Sequence, residues 1–189
     1  MRFLIITLLF LGIFSQNAHG QDQPMVLVAY FSQFGNTQVL AEAIADGAES
    51  VGGVEIKLLP IDQVETQDLF KASAIILGSP VYNGNPAPQV LEFINSWPFE
   101  GRPLKDKIGA AFATGGGISI GEEGVMIDIL RAMLIHGMII VGGEEVEAAF
   151  GASSITGEGP FNSSKNQELF YEKARGLGKR VALLALRLP

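Results

Sequence analysis

Met25-Val26-Leu27-Val28-Ala29-Tyr30-Phe31-Ser32-Gln33-Phe34-Gly35-Asn36-Thr37 is the stretch that decides how this chain folds. Met25 to Phe31 is an apolar run without alternation, as expected of a strand buried on both faces. From Thr37 to Val51, apolar residues fall at Val39, Leu40, Ala43, Ile44 and Ala48, the spacing of one helical face. Gly52-Gly53 then ends the helix. Between strand and helix, Ser32, Asn36 and Thr37 offer side-chain donors, and Gln33 to Thr37 offer backbone N–H groups. Such a loop, leading straight into a helix N-terminus with its unpaired donors and partial positive charge, is a place to hold a phosphate. It contains neither Lys nor Arg and no Gly-Lys-Ser/Thr ending, which argues against a nucleoside-triphosphate P-loop. An ordinary strand-to-helix turn with a Ser or Asn cap has the same local sequence.

Outward from this loop, strand-like and helix-like segments alternate. Strands are predicted over Val54 to Leu59, Ala74 to Gly78, Lys107 to Ala113 and Met138 to Val141. Helices are predicted over Asp68 to Ala72, Ala87 to Ser96, Gly124 to His136 and Gln167 to Leu186. Gly142 to Phe161 reads as one long connection, a length more often functional or interfacial than filler. Five strands alternating with helices predict an α/β fold: a parallel sheet with helices on both faces. In such sheets ligands sit outside the carboxyl ends of the strands, where the strand order reverses.

Two further loops reach that same edge. Ser79 to Asn85 (Ser-Pro-Val-Tyr-Asn-Gly-Asn) combines an aromatic ring, amides and a rigid proline, and can present backbone groups to a flat heterocycle. A rigid turn with one exposed Tyr is the plainer alternative. Thr114-Gly115-Gly116-Gly117 opens the glycine-rich loop that runs to Gly121 and allows close approach of backbone to a ligand, or is simply a flexible connection. Glu122 and Glu123 follow; they could pair as acid and base or serve as first-turn helix charges. Trp97, beside Pro98, suits core or interface packing.

Composition narrows the function classes. With 189 residues, 48% of them hydrophobic, the chain can build one domain with a substantial core. The formal net charge of −7 argues against a nucleic-acid partner, which needs clustered Lys and Arg. There is no cysteine, which excludes disulfides, thiolate metal sites, Fe–S clusters and Cys nucleophiles; no metal site is expected. Residues 1–20 read as a cleavable secretory signal: a basic Met1-Arg2 start, the apolar run Phe3 to Phe14, and a polar stretch ending in Ala18-His19-Gly20. The apolar run is too short to expect a stable membrane span. A domain over residues 21–189, exported to the periplasm or medium after cleavage near Gly20, is the expectation; an uncleaved anchor or a first strand is the alternative.

Taken together, the loops resemble a known family. Ser32 to Thr37 is similar to the flavodoxin-type FMN phosphate loop. Over almost the whole mature chain the sequence resembles the WrbA-type NAD(P)H:quinone oxidoreductases. The most specific similarities are Gly78-Ser79-Pro80 with Gly84-Asn85, the glycine-rich loop followed by Glu122, His136-Gly137-Met138-Ile139-Ile140-Val141, and Phe150-Gly151-Ala152-Ser153-Ser154-Ile155. The resemblance implies a flavodoxin-like three-layer sandwich with a five-stranded parallel sheet in the order 2-1-3-4-5. It also implies noncovalent FMN, two-electron reduction of quinones by NADH or NADPH, and a homo-oligomer, dimer or tetramer. By position, Ser32, Gln33, Phe34, Gly35, Asn36 and Thr37 would hold the FMN phosphate. Pro80, Val81, Tyr82, Asn83, Gly84 and Asn85, with Thr114, Gly115, Gly116 and Gly117, would border the isoalloxazine. His136 would sit beside the flavin pocket as the catalytic candidate, orienting the quinone oxygen or stabilising charge there; alternatively it caps its helix. The sequence departs from the family in a short Pro60 to Ser73 segment, in Asn83 where an aromatic is usual, and in its N-terminal signal. The main alternative is an exported flavodoxin-type electron carrier without its own NAD(P)H activity; an exported domain that has lost FMN is a second.

Overall fold

A computed structural model describes residues 23–188 of the chain. The expected signal over residues 1–20 lies outside the described residues. Among the described residues, seven strands and five α-helices follow one another as β1 (Met25–Tyr30), α1 (Asn36–Glu49), β2 (Glu55–Pro60), α2 (Thr66–Lys71), β3 (Ala72–Tyr82), β4 (Asn85–Pro86), α3 (Pro88–Asn95), β5 (Ile108–Gly115), α4 (Glu122–Ile135), β6 (Ile139–Ile140), β7 (Ala152–Ile155) and α5 (Ser164–Ala185).

The main sheet runs β2-β1-β3-β5-β6, all parallel, with β7 also on β5. Setting aside the short β4 and counting β6 and β7 as one edge position, this is the expected 2-1-3-4-5 order. Every residue of β1 and β5 is buried. The side chains alternate between two cores, as the two-residue period of a strand requires. Leu27, Ala29, Ile75, Leu77 and Ala111 face Val90 of α3 and Val125, Ile129 and Met133 of α4. Val26, Val28, Ala74, Ile76 and Phe112 face Leu40 and Ile44 of α1 and Leu177 and Val181 of α5. Helices α1 and α5 approach backbone to backbone: a Cβ on Gly178 would lie 1.9 Å from the Ile44 carbonyl oxygen. Any larger residue there must push the two helices apart.

Three local expectations are corrected. The segment Ser79 to Asn85 is not all loop. Strand β3 continues to Tyr82 and folds back on β4, pairing Tyr82 with Asn85 and Val81 with Pro86. Asn83 and Gly84, with φ of 53° and 75°, make the two-residue turn of this hairpin, a conformation that Asn-Gly favours. Gly142 to Phe161 is likewise not one connection. The edge strand begins as β6 beside Ile108 and Gly109, leaves the sheet, and returns as β7 beside Phe112 to Gly115. The last helix starts earlier than expected, at Ser164, because the Ser163 hydroxyl accepts the Asn166 N–H and caps it.

Candidate functional site

The carboxyl ends of β1, β3 and β5 place three loops around one cleft of about 180 Å³. Its walls are Ser32, Gln33, Phe34, Asn36 and Thr37 after β1, Pro80, Val81 and Tyr82 at the end of β3, and Thr114, Gly115 and Gly116 at the end of β5. Eleven of the expected cofactor residues therefore converge. Gly35, Asn83, Gly84, Asn85 and Gly117 do not line the cleft; they shape the loops that do. Gly35 takes φ 86° to turn the chain into α1, and Asn83-Gly84 turn the hairpin.

The entrance to α1 is built for an anion. Gly35 occupies the N-cap without any side-chain cap, and the first turn holds no acidic residue. The leading N–H groups are thus left for a ligand, at the positive end of the helix. The Ser32 hydroxyl oxygen is buried and has no hydrogen-bond partner in the protein. A buried hydroxyl without a partner is costly, and a bound phosphate oxygen would satisfy it. Deeper in, the Thr37 and Thr114 hydroxyls lie 2.7 Å apart in a buried hydrogen bond that ties the β1 loop to the end of β5. At the mouth, the Tyr82 hydroxyl donates to Gln33 Oε1 at 2.5 Å and links the hairpin to the phosphate loop. Phe34 stands 79% exposed on the lip, an apolar surface available to a ring.

The β5 wall is held from behind. Thr156 lines the cleft and was not foreseen from sequence. Its N–H and hydroxyl both donate to the Gly115 carbonyl, at 2.8 and 3.1 Å. Only the return of the chain as β7 brings it there, so no local pattern marks it. Glu158 Oε2 accepts the Ile118 N–H at 2.7 Å and orders the glycine-rich loop. Glu122 and Glu123 do not pair as acid and base: Glu122 is buried and Glu123 exposed. The Glu122 carboxyl packs behind Gly115, where a Cβ would lie 2.2 Å from Oε1.

His136 is not at this cleft in its own chain. Helix α4 starts with Glu122 beside Gly115 and runs 14 residues away, about 21 Å, to put His136 at the opposite edge of the sheet. There it is 7% exposed and packs edge-on to Trp97 and Phe99, with ring centroids 5.4 and 5.3 Å away. Its Nδ1 and the Trp97 Nε1 have no hydrogen-bond partner in the protein. Burial, with the Arg102 charge adding to it, holds the imidazole pKa below its ordinary value.

Strand order, the reversal between β1 and β3, and three ligand loops at that point define a flavodoxin-like domain. The chain belongs to the NADPH-dependent FMN reductase family, whose sequence profile matches residues 25–153. It is 31% identical to an NAD(P)H dehydrogenase (quinone) of Geotalea uraniireducens, with 86% of this chain and 98% of that protein covered. It is also 31% identical to a flavodoxin of Clostridium saccharobutylicum, covering 83% of this chain and 94% of that one. Among solved structures, it resembles the WrbA-like flavodoxin of Agrobacterium tumefaciens with a TM-score of 0.71, 25% identity, and 88% and 99% of the two chains covered. FMN is the cofactor that this family and this cleft call for. The uncapped α1 N-terminus, the unpartnered Ser32 hydroxyl and the absence of acid from the first turn fit its phosphate.

Proposed function

We propose that this protein is an FMN-dependent NAD(P)H:quinone oxidoreductase. The single observation carrying this is the convergence of the phosphate loop, the hairpin and the glycine-rich loop on one cleft, in a chain about 30% identical to proteins named for that activity. FMN, when bound, supplies the two-electron chemistry. The protein's share is to bind and orient it. Ser32 to Thr37 would hold the phosphate through the α1 amides and the Ser32 and Thr37 hydroxyls. Pro80 to Asn85 and Thr114 to Gly117 would border the ring. The Tyr82–Gln33 hydrogen bond would fix the hairpin against the phosphate loop, and the short glycine side of the cleft would leave room for a flat substrate. NADH or NADPH and a quinone are the proposed small-molecule substrates.

A homo-oligomer belongs to this proposal. The exposed apolar residues Phe99, Leu134, Ile135 and Ile139 support it, since they crowd the edge around His136. His136 would then act from a neighbouring copy. Export after cleavage near Gly20 is proposed from the pattern of residues 1–20; N-terminal sequencing of the secreted protein should begin at Gln21. Among the described residues no helix is long and apolar enough to cross a membrane.

A carrier without its own NAD(P)H activity is the second reading, favoured by the flavodoxin relative and by the acidic charge, which suits docking to a basic partner. The decisive assay loads the chain with FMN and follows NADH and NADPH oxidation with benzoquinone. Turnover with either donor supports the enzyme. No turnover with both, while electrons still pass from a reduced partner protein, supports the carrier.

A further inference from the structure

A cavity larger than the cofactor cleft lies on the other side of the β1 loop. It has a volume of about 620 Å³ and lies behind the phosphate loop, between the end of β2 and α3. Ser32 borders both spaces, so the two are neighbours at the β1 loop. The short Pro60 to Ser73 segment leaves this space open: after β2 the chain makes one 3-10 turn, Ile61–Gln63, and goes directly to α2.

The lining has a consistent chemistry. Phe31, Ile61 and Phe93 give an apolar floor, and the first and last are aromatic. Asp62 and Glu92 bring two carboxylates, and both residues are exposed at the rim. Gln38, Gln63 and Gln89 add amides, while no Lys, Arg or His lines the space. Tyr30 reports the same field: its hydroxyl pKa is raised, by burial first and then by the charges of Glu42 and Asp62. Such a field repels phosphates and carboxylates, so the cavity is not an extension of the anion site. Its volume is within the roughly 300–1,000 Å³ of small-molecule pockets. A bare metal ion does not suit it, because the described residues contain no cluster of three or more potential metal ligands. Aromatic faces beside carboxylates favour a cation that also carries an apolar body.

We propose that this cavity is a second ligand site that takes an organic cation with an aromatic or alkyl body, its charge between Asp62 and Glu92 and its body against Phe31 and Phe93. The site is independent of the FMN assignment and is tested without turnover. Calorimetric titration of the full chain compares three probes of similar size: benzyltrimethylammonium, benzyl alcohol and benzoate. The cation should bind about tenfold or more tightly than the alcohol, benzoate should not bind, and added salt should weaken the cation alone. The double variant Asp62→Asn/Glu92→Gln, at two exposed positions, should remove that preference and leave FMN affinity unchanged. Equal binding of the three probes, no binding of the cation at about 10 mM, or an unaltered preference in the double variant would each overturn the proposal.

Discussion

The two ends of helix α4 are built in opposite ways. At Glu122 the helix meets the cleft, where glycines, hydroxyls and free backbone donors leave space for a ligand and little side-chain packing. At His136 it ends against the buried Trp97 and the half-exposed Phe99, with two buried ring nitrogens lacking partners. Both ends leave polar groups unsatisfied, yet for different reasons. An unpartnered Ser32 hydroxyl beside an uncapped helix start is what an anion site looks like without its anion. Unpartnered nitrogens among aromatic rings are sealed in by packing, and their cost is met by the burial of large apolar surface. Unsatisfied polarity therefore points to a ligand only where the surrounding backbone also leaves room for one.

Mutation can break this contrast. Trp97→Ala should have the largest effect on stability, about 3–5 kcal/mol, because it removes the buried ring against which both His136 and Phe93 pack. Chemical denaturation measures the loss, and FMN affinity of the folded fraction should not change. Thr37→Val should cost less stability, about 1–3 kcal/mol, since it strands the buried Thr114 hydroxyl. It should, however, weaken FMN about tenfold or more by removing a donor at the phosphate, as seen in a fluorescence titration. Gly115→Ala should act on the cleft from behind. Its methyl meets the buried Glu122 carboxyl and pushes the β5 wall toward the ring, so FMN affinity should fall by several-fold, about 1 kcal/mol, and melting temperature should fall with it.

The smallest effect is on pH dependence. The His136 pKa is lowered in the folded state, so below the ordinary value of 6.5 the unfolded chain takes up a proton that the folded chain resists. This contribution is present in full above that pH and is lost as pH falls through the lower folded value. Asp68 titrates separately: burial raises its pKa, but the Lys57 hydrogen bond, the Glu65 N–H and the Lys57 charge outweigh that and hold it below 3.8. Melting temperature should therefore decline as pH falls below about 6.5, and His136→Phe should flatten that decline while leaving the more acidic limb in place.

Much of this was visible in the sequence. Met25 to Thr37 specified its strand, turn and helix because the apolar run, the glycine and the helical spacing all act locally. The pattern also located three loops at one edge, since a parallel sheet places them there. Thr156 escaped because its position depends on the edge strand leaving β5 and returning, a non-local pairing with no signature in the few residues around it. The hairpin at Asn83-Gly84 carried a recognisable turn signal, masked by the prolines on either side. His136 lies away from the cleft of its own chain, which a motif does not reveal because it gives the order of residues but not the direction in which the helix before it runs. Strand β5 ends at the cleft, so α4 must run back across the sheet and end at the far edge.

The central claim is that the β1 loop and the ends of β3 and β5 hold FMN while the Trp97–His136 pair does not. Titrating FMN into the apo chain, its Thr37→Val variant and its His136→Phe variant, with flavin fluorescence as the signal, tests it most directly. One FMN per chain, weakened by Thr37→Val and unchanged by His136→Phe, is the predicted result. Absence of saturable binding, or a loss caused by His136→Phe in the isolated chain but not by Thr37→Val, would contradict it.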